Sequence, residues 1–286
     1  MKRSLGRFCL FATVAALSVF AATVAMRPWP ASAATLCTEA ELVDLANRPD
    51  AAPNSCVVGL DDLVLESGYY QNASSVGGAV IARYPNAELR VGVAEALEVD
   101  YDAPSQIDVS GNRGKGFWSL SDPGVGVKWQ VADRPSTAFD LDAEVRPPAS
   151  AASFPWQPKY SLQLDSTQTL DKRVRTNVDL GLVGEDHDLG FLGDDHFVRM
   201  PAVTPGVRST AGIGFATSPA SLFSVELNDQ TSVARSLRGQ SFGDLSYRQT
   251  LSRHVVLDVE GGQTFNTSAG TRPHYIGAGL AFGATR

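Results

Sequence analysis

Apolar and polar residues alternate along the last third of the chain. The alternation is clearest in residues 222–228 (LFSVELN), 255–264 (VVLDVEGGQT) and 275–282 (YIGAGLAF). In the second segment Val255, Leu257 and Val259 occupy every second position. Asp258 and Glu260 lie between them. Successive side chains of a β-strand point to opposite faces, so each segment predicts a strand with one apolar face and one polar or small face.

About twelve strand-like runs of this kind follow one another from Asp62 onward. They lie near residues 62–72, 78–93, 96–104, 117–131, 136–147, 158–168, 173–184, 206–217, 220–230, 241–251, 254–265 and 272–284. Five connections are tight turns, near residues 94–95, 133–135, 170–172, 218–219 and 252–253, and the alternate ones are longer, at 105–116, 148–157, 185–205, 231–240 and 266–271. Outer-membrane barrels have short turns at one end, long loops at the other and an even number of strands. The pattern predicts an all-β fold, an antiparallel up-and-down transmembrane β-barrel of about 12 strands over residues 62–286.

Aromatic residues fall at both ends of the predicted strands. Those next to the long loops are Trp118, Trp156, Tyr160, Phe242 and Tyr275, and those next to the tight turns are Trp129, Phe139, Phe215, Phe223 and Phe282. Two aromatic levels are typical of the girdles at the two membrane interfaces. The core of a soluble protein would hold more of its aromatic residues in mid-strand.

The first 34 residues have the composition of a secretory signal peptide. Lys2, Arg3 and Arg7 form a basic region, residues 8–26 are apolar, and residues 31–33 (ASA) supply a cleavage site. Because the apolar run is long, an uncleaved membrane anchor is the alternative interpretation. Cleavage leaves about 250 residues, the size of one all-β domain. Loss of the four basic residues of this segment takes the formal net charge from −7 to −11, which disfavours nucleic acid as a partner.

Residues 35–61 form a separate N-terminal extension. Thr38 and Glu41 have the spacing of a capping box and predict a short helix that ends near Asn47. Cys37 and Cys56 are the cysteines that remain after cleavage, and in an oxidising periplasm we expect a disulfide between them. Two free buried thiols are the alternative. The extension is then a cap or a plug at the mouth of the barrel, or a stapled segment without function.

Four runs of the chain resemble a known family. They are residues 84–101 (YPNAELRVGVAEALEVDY), 119–131 (SLSDPGVGVKWQV), 241–266 (SFGDLSYRQTLSRHVVLDVEGGQTFN) and 275–282 (YIGAGLAF). They are similar to the outer-membrane transporters grouped under the meta-pathway of phenol degradation. Members have an arginine–glycine strand, a tight turn and a glutamate-bearing return strand, and Arg90, Gly92 and Glu98 hold these positions here. The resemblance implies an outer-membrane β-barrel that passes small solutes, hydrophobic or aromatic ones among them.

A polar face that points away from lipid has to line the lumen of such a barrel. The predicted lumen-lining residues are Glu88, Arg90, Glu98, Asp100, Lys128, Asp140, Asp142, Glu144, Asp165, Arg175, Asp179, Glu226, Asp244, Arg248, Asp258 and Glu260. Twelve of them are acidic and four are basic. A water-filled lumen with this lining favours cations, because rings of side chains of one sign set the ion preference of a pore. In a closed lumen the same residues form buried salt-bridge networks.

The leading hypothesis is a passive transporter or channel in the Gram-negative outer membrane, inserted by the barrel-assembly machinery, surrounded by membrane lipid and open to a small solute. The alternatives are a closed structural or surface-interaction barrel and a soluble periplasmic ligand-binding barrel, which would turn its charges outward. We predict no catalytic residue, cofactor or metal site. Residues 185–196 (EDHDLGFLGDDH) combine five carboxylates and two imidazoles. A hydrated acidic loop is the expected interpretation of this run, and a divalent-cation site is the alternative.

Overall fold

A computed structural model describes residues 35–38, 40–47, 54–73, 80–110, 117–121, 123–147, 159–185, 204–232, 240–266 and 274–284. The strands in these ranges are β1 (Leu63–Ala73), β2 (Val80–Ala94), β3 (Leu97–Asp102), β4 (Gln106–Ser110), β5 (Phe117–Leu120), β6 (Gly124–Arg134), β7 (Thr137–Arg146), β8 (Lys159–Thr169), β9 (Val174–Glu185), β10 (Thr204–Ser218), β11 (Ser221–Ser232), β12 (Gln240–Ser252), β13 (Val255–Asn266) and β14 (His274–Ala284). The predicted signal peptide and most of the acidic loop at residues 185–196 lie outside the described residues.

The sheet closes on itself. Neighbouring strands are antiparallel, and the circuit runs β1–β2–β3–β6 and then in chain order to β14, which pairs with β1. β4 continues the line of β3 along the far part of β2, and β5 pairs with β4. The predicted up-and-down barrel of twelve strands is therefore confirmed. Closure pairs the wall strands on both sides, which is what a hydrocarbon surrounding requires of a sheet.

Connection lengths distinguish the two ends of the barrel. At the turn end the strands are joined by residues 95–96, 135–136, 170–173, 219–220 and 253–254, and at the loop end the longer connections are residues 74–79, 147–158, 186–203, 233–239 and 267–273. The prediction of a loop at residues 105–116 is wrong in part. Residues 106–110 form β4 because β2 extends past the end of β3, and residues 80–84 of β2 offer them a partner.

Outward positions of the wall are apolar. Leu162, Leu164 and Leu182 on β8 and β9 are 44, 49 and 58 % exposed. On the opposite face of the same two strands, Asp165 and Asp179 are at most 1 % exposed. Exposed leucines around a charged interior fit a barrel surrounded by lipid and argue against a soluble barrel with an apolar interior.

The predicted aromatic girdle holds for some residues and not for others. Trp129 and Tyr160 lie on the outer face, 52 and 47 % exposed, near the turn end and the loop end. Phe242 and Tyr275, which the sequence predicted for the girdle next to the long loops, face the interior instead. Their strand partners Asn228 and Gly262 are inward positions, and register fixes the face that a side chain occupies.

The N-terminal extension folds back into the barrel at the turn end. Its helix α1 (Leu42–Leu45) is a single turn, in which the Glu41 N–H donates to Asp44 Oδ2 at 3.2 Å. The predicted helix was too long at both ends. The hydroxyl of Thr38 donates within its own turn, and the N–H of Asn47 donates to a carboxylate of the wall. No helix of the described residues is long and apolar enough to cross a membrane.

The predicted disulfide joins Cys37 to Cys56, whose Cα atoms are 5.2 Å apart. Cys56 packs with Leu45 of α1 and with the inward-facing Ala138 of β7. The two cysteines are 19 positions apart in the chain. Closing a loop of this size lowers the entropy of the unfolded chain and thereby raises its free energy by about 3 kcal/mol on the chain-entropy model. The disulfide therefore favours the folded extension.

An apolar layer joins the extension to the wall. Leu42, Val43 and Val58 pack with the inward-facing Val64 and Val256. The sequence predicted a polar inner face throughout, and at this level the prediction is wrong. The wall turns apolar residues inward here because the extension, and not water, covers them.

Candidate functional site: the plugged barrel interior

Residues 35–38, 40–47 and 54–62 dock at the turn end of the barrel, where Leu42, Val43, Ser55 and Val58 are buried against the inner face of the wall, and we call these residues the plug. Wall side chains satisfy its irregular backbone. The Ser55 N–H donates to Thr167 Oγ1 at 3.0 Å, and the Cys37 N–H donates to Asp133 Oδ1 at 3.2 Å. A short helix cannot satisfy the backbone groups of such a segment, so hydrogen bonds from the wall determine where it docks.

Arg90 forms the most deeply buried anchor of the plug. Its Nη2 lies 2.8 Å from Glu98 Oε1 and its Nη1 lies 3.4 Å from Glu66 Oε1, and all three side chains are 0 % exposed. The guanidinium also donates to the carbonyl oxygen of Leu45. Glu66 accepts the N–H of Asn47 at 2.9 Å. The Arg90 cation thus lies between two buried carboxylates, and the three side chains together hold the carbonyl oxygen of Leu45 and the N–H of Asn47, where the chain leaves α1.

Arg90, Gly92 and Glu98, which carry the family resemblance, all contact the plug. The Val58 N–H donates to Glu98 Oε2 at 2.5 Å. A Cβ at Gly92 would collide with the backbone oxygens of Val58 and Gly59. Glycine at this position lets the plug chain pass directly against β2. In this chain the three residues of the motif therefore hold the plug against the wall.

The four basic residues predicted for the lumen all contact the plug. Besides Arg90, the Nζ of Lys128 donates to the carbonyl oxygen of Asn54 and lies 3.9 Å from Asp140 Oδ2. Arg248 Nη1 donates to the carbonyl oxygen of Val43 at 3.2 Å. Arg175 Nη1 lies 2.8 Å from Asp44 Oδ1. These four basic side chains thus hold the plug.

A cavity of about 230 Å³ lies beside α1 at the turn end. It is bounded by α1, by the β8–β9 turn and by the β10–β11 turn. The Asp44–Arg175 ion pair forms part of its lining, and its side chains are 20 and 23 % exposed. Lys172 and Arg173 lie on the turn side of the cavity. Water therefore reaches the plug on this side of the barrel.

The strand register places all sixteen predicted residues on the inner face. The directly opposed pairs include Glu66 with Glu88, Glu88 with Asp102, Arg90 with Asp100, Glu98 with Lys128, Lys128 with Asp142, Asp140 with Asp165, Asp165 with Asp179, Glu226 with Asp244 and Arg248 with Asp258. Glu144 lies beside Arg146, Glu260 lies across Gly277, and Arg175 is paired with Asp44. No group of three or more His, Cys, Asp or Glu side chains in the described ranges is arranged to hold a metal ion.

The sequence prediction missed several charged residues of the inner face. Among the described residues these include Glu66, Arg83, Asp102, Arg146 and Arg208. Arg146 Nε lies 2.5 Å from Glu144 Oε1, and its guanidinium also pairs with Asp102 near the loop end. A signal for Glu66 was present, because it shares the inner face of β1 with Val64. Its pairing with a residue of β2 could not be read from that alternation.

No family model and no curated protein sequence matches the chain. Among solved structures, the COG4313 outer membrane channel from Pseudomonas putida F1 is similar with a TM-score of 0.60, at 9 % identity over 84 % of this chain and 100 % of that one. The CymD monoaromatic hydrocarbon channel gives 0.46 at 9 % identity over 80 and 89 % of the two chains. The KdgM porin gives 0.47 at 9 % over 77 and 99 %.

The first of these similarities shows the fold. The chain has the barrel architecture of that outer membrane channel, which confirms the resemblance to outer-membrane β-barrels at the level of fold. The link to phenol degradation and the class of solute stay predictions.

Proposed function

We propose that this chain is a passive channel of the outer membrane for small solutes, and that the plug narrows its route. One observation carries the proposal. The interior of a barrel with an apolar outer face is charged, and a stapled segment fills it at one end. Twelve-stranded barrels enclose more space than their own wall side chains need, so an inserted segment decides whether the lumen is open.

The contacts of the plug favour a channel over a closed structural barrel. A closed barrel can pair its charges within the wall. Here Lys128 and Arg248 donate to plug carbonyl oxygens, and Arg175 pairs with Asp44 of α1. If the plug shifts, these cations and the surrounding carboxylates face water. A charged, hydrated lumen is the interior that conducts ions and small polar solutes.

The acidic excess of the inner face sets the expected selectivity. We expect cations to pass more readily than anions, and the hydrophobic or aromatic solutes implied by the resemblance remain a prediction. Asp140, Asp142 and Glu144 lie on one strand of this face. The triple variant Asp140→Asn/Asp142→Asn/Glu144→Gln should lose most of the cation preference, read as the reversal potential under a KCl gradient in planar bilayers.

The matched control is Glu95→Gln, which removes one carboxylate from the exposed β2–β3 turn. It should leave the reversal potential near that of the wild type. Each variant is first checked for a shift of electrophoretic mobility on heating, the mark of a folded barrel. Electrical silence of the wild type and of plug-released variants would favour the closed barrel, and recovery as a soluble monomer would contradict both membrane hypotheses.

A further inference from the structure

Three aromatic rings among the described residues face the interior toward the loop end. They belong to Tyr70 on β1, Tyr275 on β14 and Phe242 on β12. The centroids of Tyr70 and Tyr275 are 5.2 Å apart. Phe242 and Tyr275 are 6.4 Å apart with an angle of 76° between their planes, so these two rings form a corner. All three are half-buried and lie on the loop side of the plug.

Two carboxylates reach the same group of rings because glycines make room for the side chains. A Cβ at Gly262 would lie 2.7 Å from the Tyr275 hydroxyl oxygen, so the phenol extends across Gly262. Asp244 is the strand partner of Gly262 on the other side. In the same way the Glu260 carboxylate lies across Gly277, whose partner on the next strand is Tyr70.

Among the described residues, the charges next to the rings leave a negative balance. Asp244 is 6 % exposed, and its Oδ2 accepts the side-chain N–H of Asn228 at 3.1 Å, which fixes the carboxylate. Arg83 pairs with Tyr70 across β1 and β2 and supplies one positive charge at the edge of the group. Two carboxylates and one guanidinium therefore face three ring systems.

We propose that Tyr70, Phe242, Tyr275, Asp244 and Glu260 form a binding site for a small organic cation of the substituted-ammonium class. The face of an aromatic ring attracts a cation within about 6 Å of its centroid, and rings set at a steep angle offer two such faces. The carboxylates add a charge attraction that an uncharged solute of equal shape does not gain. The site names a solute class for the channel, and to that extent it rests on the proposed function.

Calorimetric titration of the full-length, detergent-folded protein tests the site with choline as the probe. The comparison is its uncharged isostere, in which carbon replaces the ammonium nitrogen. We expect choline to bind and the isostere to bind at least about tenfold more weakly. Tyr275→Leu and Asp244→Asn should each weaken choline binding by about 3- to 30-fold, and Tyr275→Phe, which keeps the ring, should lose less.

Tyr247→Leu is the matched control. Tyr247 lies on β12 like Asp244, but it faces outward and is 37 % exposed. Its loss should leave choline binding unchanged. Equal binding of choline and the isostere, or wild-type affinity in Tyr275→Leu and Asp244→Asn variants that keep their heat-dependent mobility, would overturn the proposal. Since calorimetry needs no conduction, a conducting barrel that ignores choline contradicts only this site, and a silent barrel that binds choline contradicts only the channel.

Discussion

Replacing Arg90 with methionine is expected to lower the free energy of unfolding by about 3–5 kcal/mol. The substitution leaves Glu66 and Glu98 at 0 % exposure without their shared cation, and it removes the donor to the Leu45 carbonyl oxygen. A buried charge without a partner costs far more than the pair contributes when intact. Urea titration of the protein folded in lipid vesicles measures the loss.

Two further variants separate the buried ion network from a general effect of removing an arginine. Arg146→Met removes a guanidinium that is 37 % exposed and also bridges two carboxylates, and it should cost no more than about 1 kcal/mol. The triple variant Arg90→Met/Glu66→Gln/Glu98→Gln should recover part of the loss, because it removes the charge of the two carboxylates that Arg90→Met alone leaves buried without that cation. Equal losses for Arg90→Met and Arg146→Met would refute this account of the anchor.

Val58→Asp is expected to release the plug from a barrel that stays folded. Val58 is 0 % exposed and packs in the apolar layer with Val64 and Val256. An unpaired carboxylate buried there costs several kcal/mol, and the plug can avoid that cost by leaving the lumen. The measurement is limited proteolysis of vesicle-inserted protein, in which the plug should become cleavable while the barrel keeps its heat-dependent mobility. Single-channel conductance should rise in the same variant.

The control lies two residues further along the same segment. Leu60 is 51 % exposed, so Leu60→Asp adds the same charge without burying it. It should leave both protease resistance and conductance as in the wild type. A protected plug in Val58→Asp, or equal release by both variants, would show that the apolar layer does not hold the segment.

The barrel was predictable because its evidence repeats. A period of two recurs in every wall strand, and turns and loops alternate in order, so local errors do not change the fold class. Asp165 and Asp179 are inward for the same reason that Leu162 and Leu182 are outward. The alternation predicts a polar inner face wrongly where another part of the chain covers that face. Val64 is apolar and inward because α1 covers it.

The arrangement of the plug could not be predicted. Ser55 and Thr167 are 112 positions apart, and neither residue type marks a partner in the sequence. The cap of α1 is Glu41 with Asp44 and not Thr38 with Glu41, because contacts with the wall decide where this short helix begins. The disulfide was predictable from cysteine arithmetic. Which segment the disulfide fixes, and against which wall residues that segment packs, could be learned only from the fold.

Planar-bilayer recording of the full-length wild type, before and after reduction of Cys37–Cys56, tests the central claim most directly. A plug that narrows a channel predicts cation-selective conductance that rises when dithiothreitol opens the staple, because the constraint on residues 37–56 is then removed. The variant Cys37→Ser/Cys56→Ser should start at the higher level and ignore the reductant. A folded, inserted barrel that is silent before and after reduction, and silent in that variant, would contradict the account.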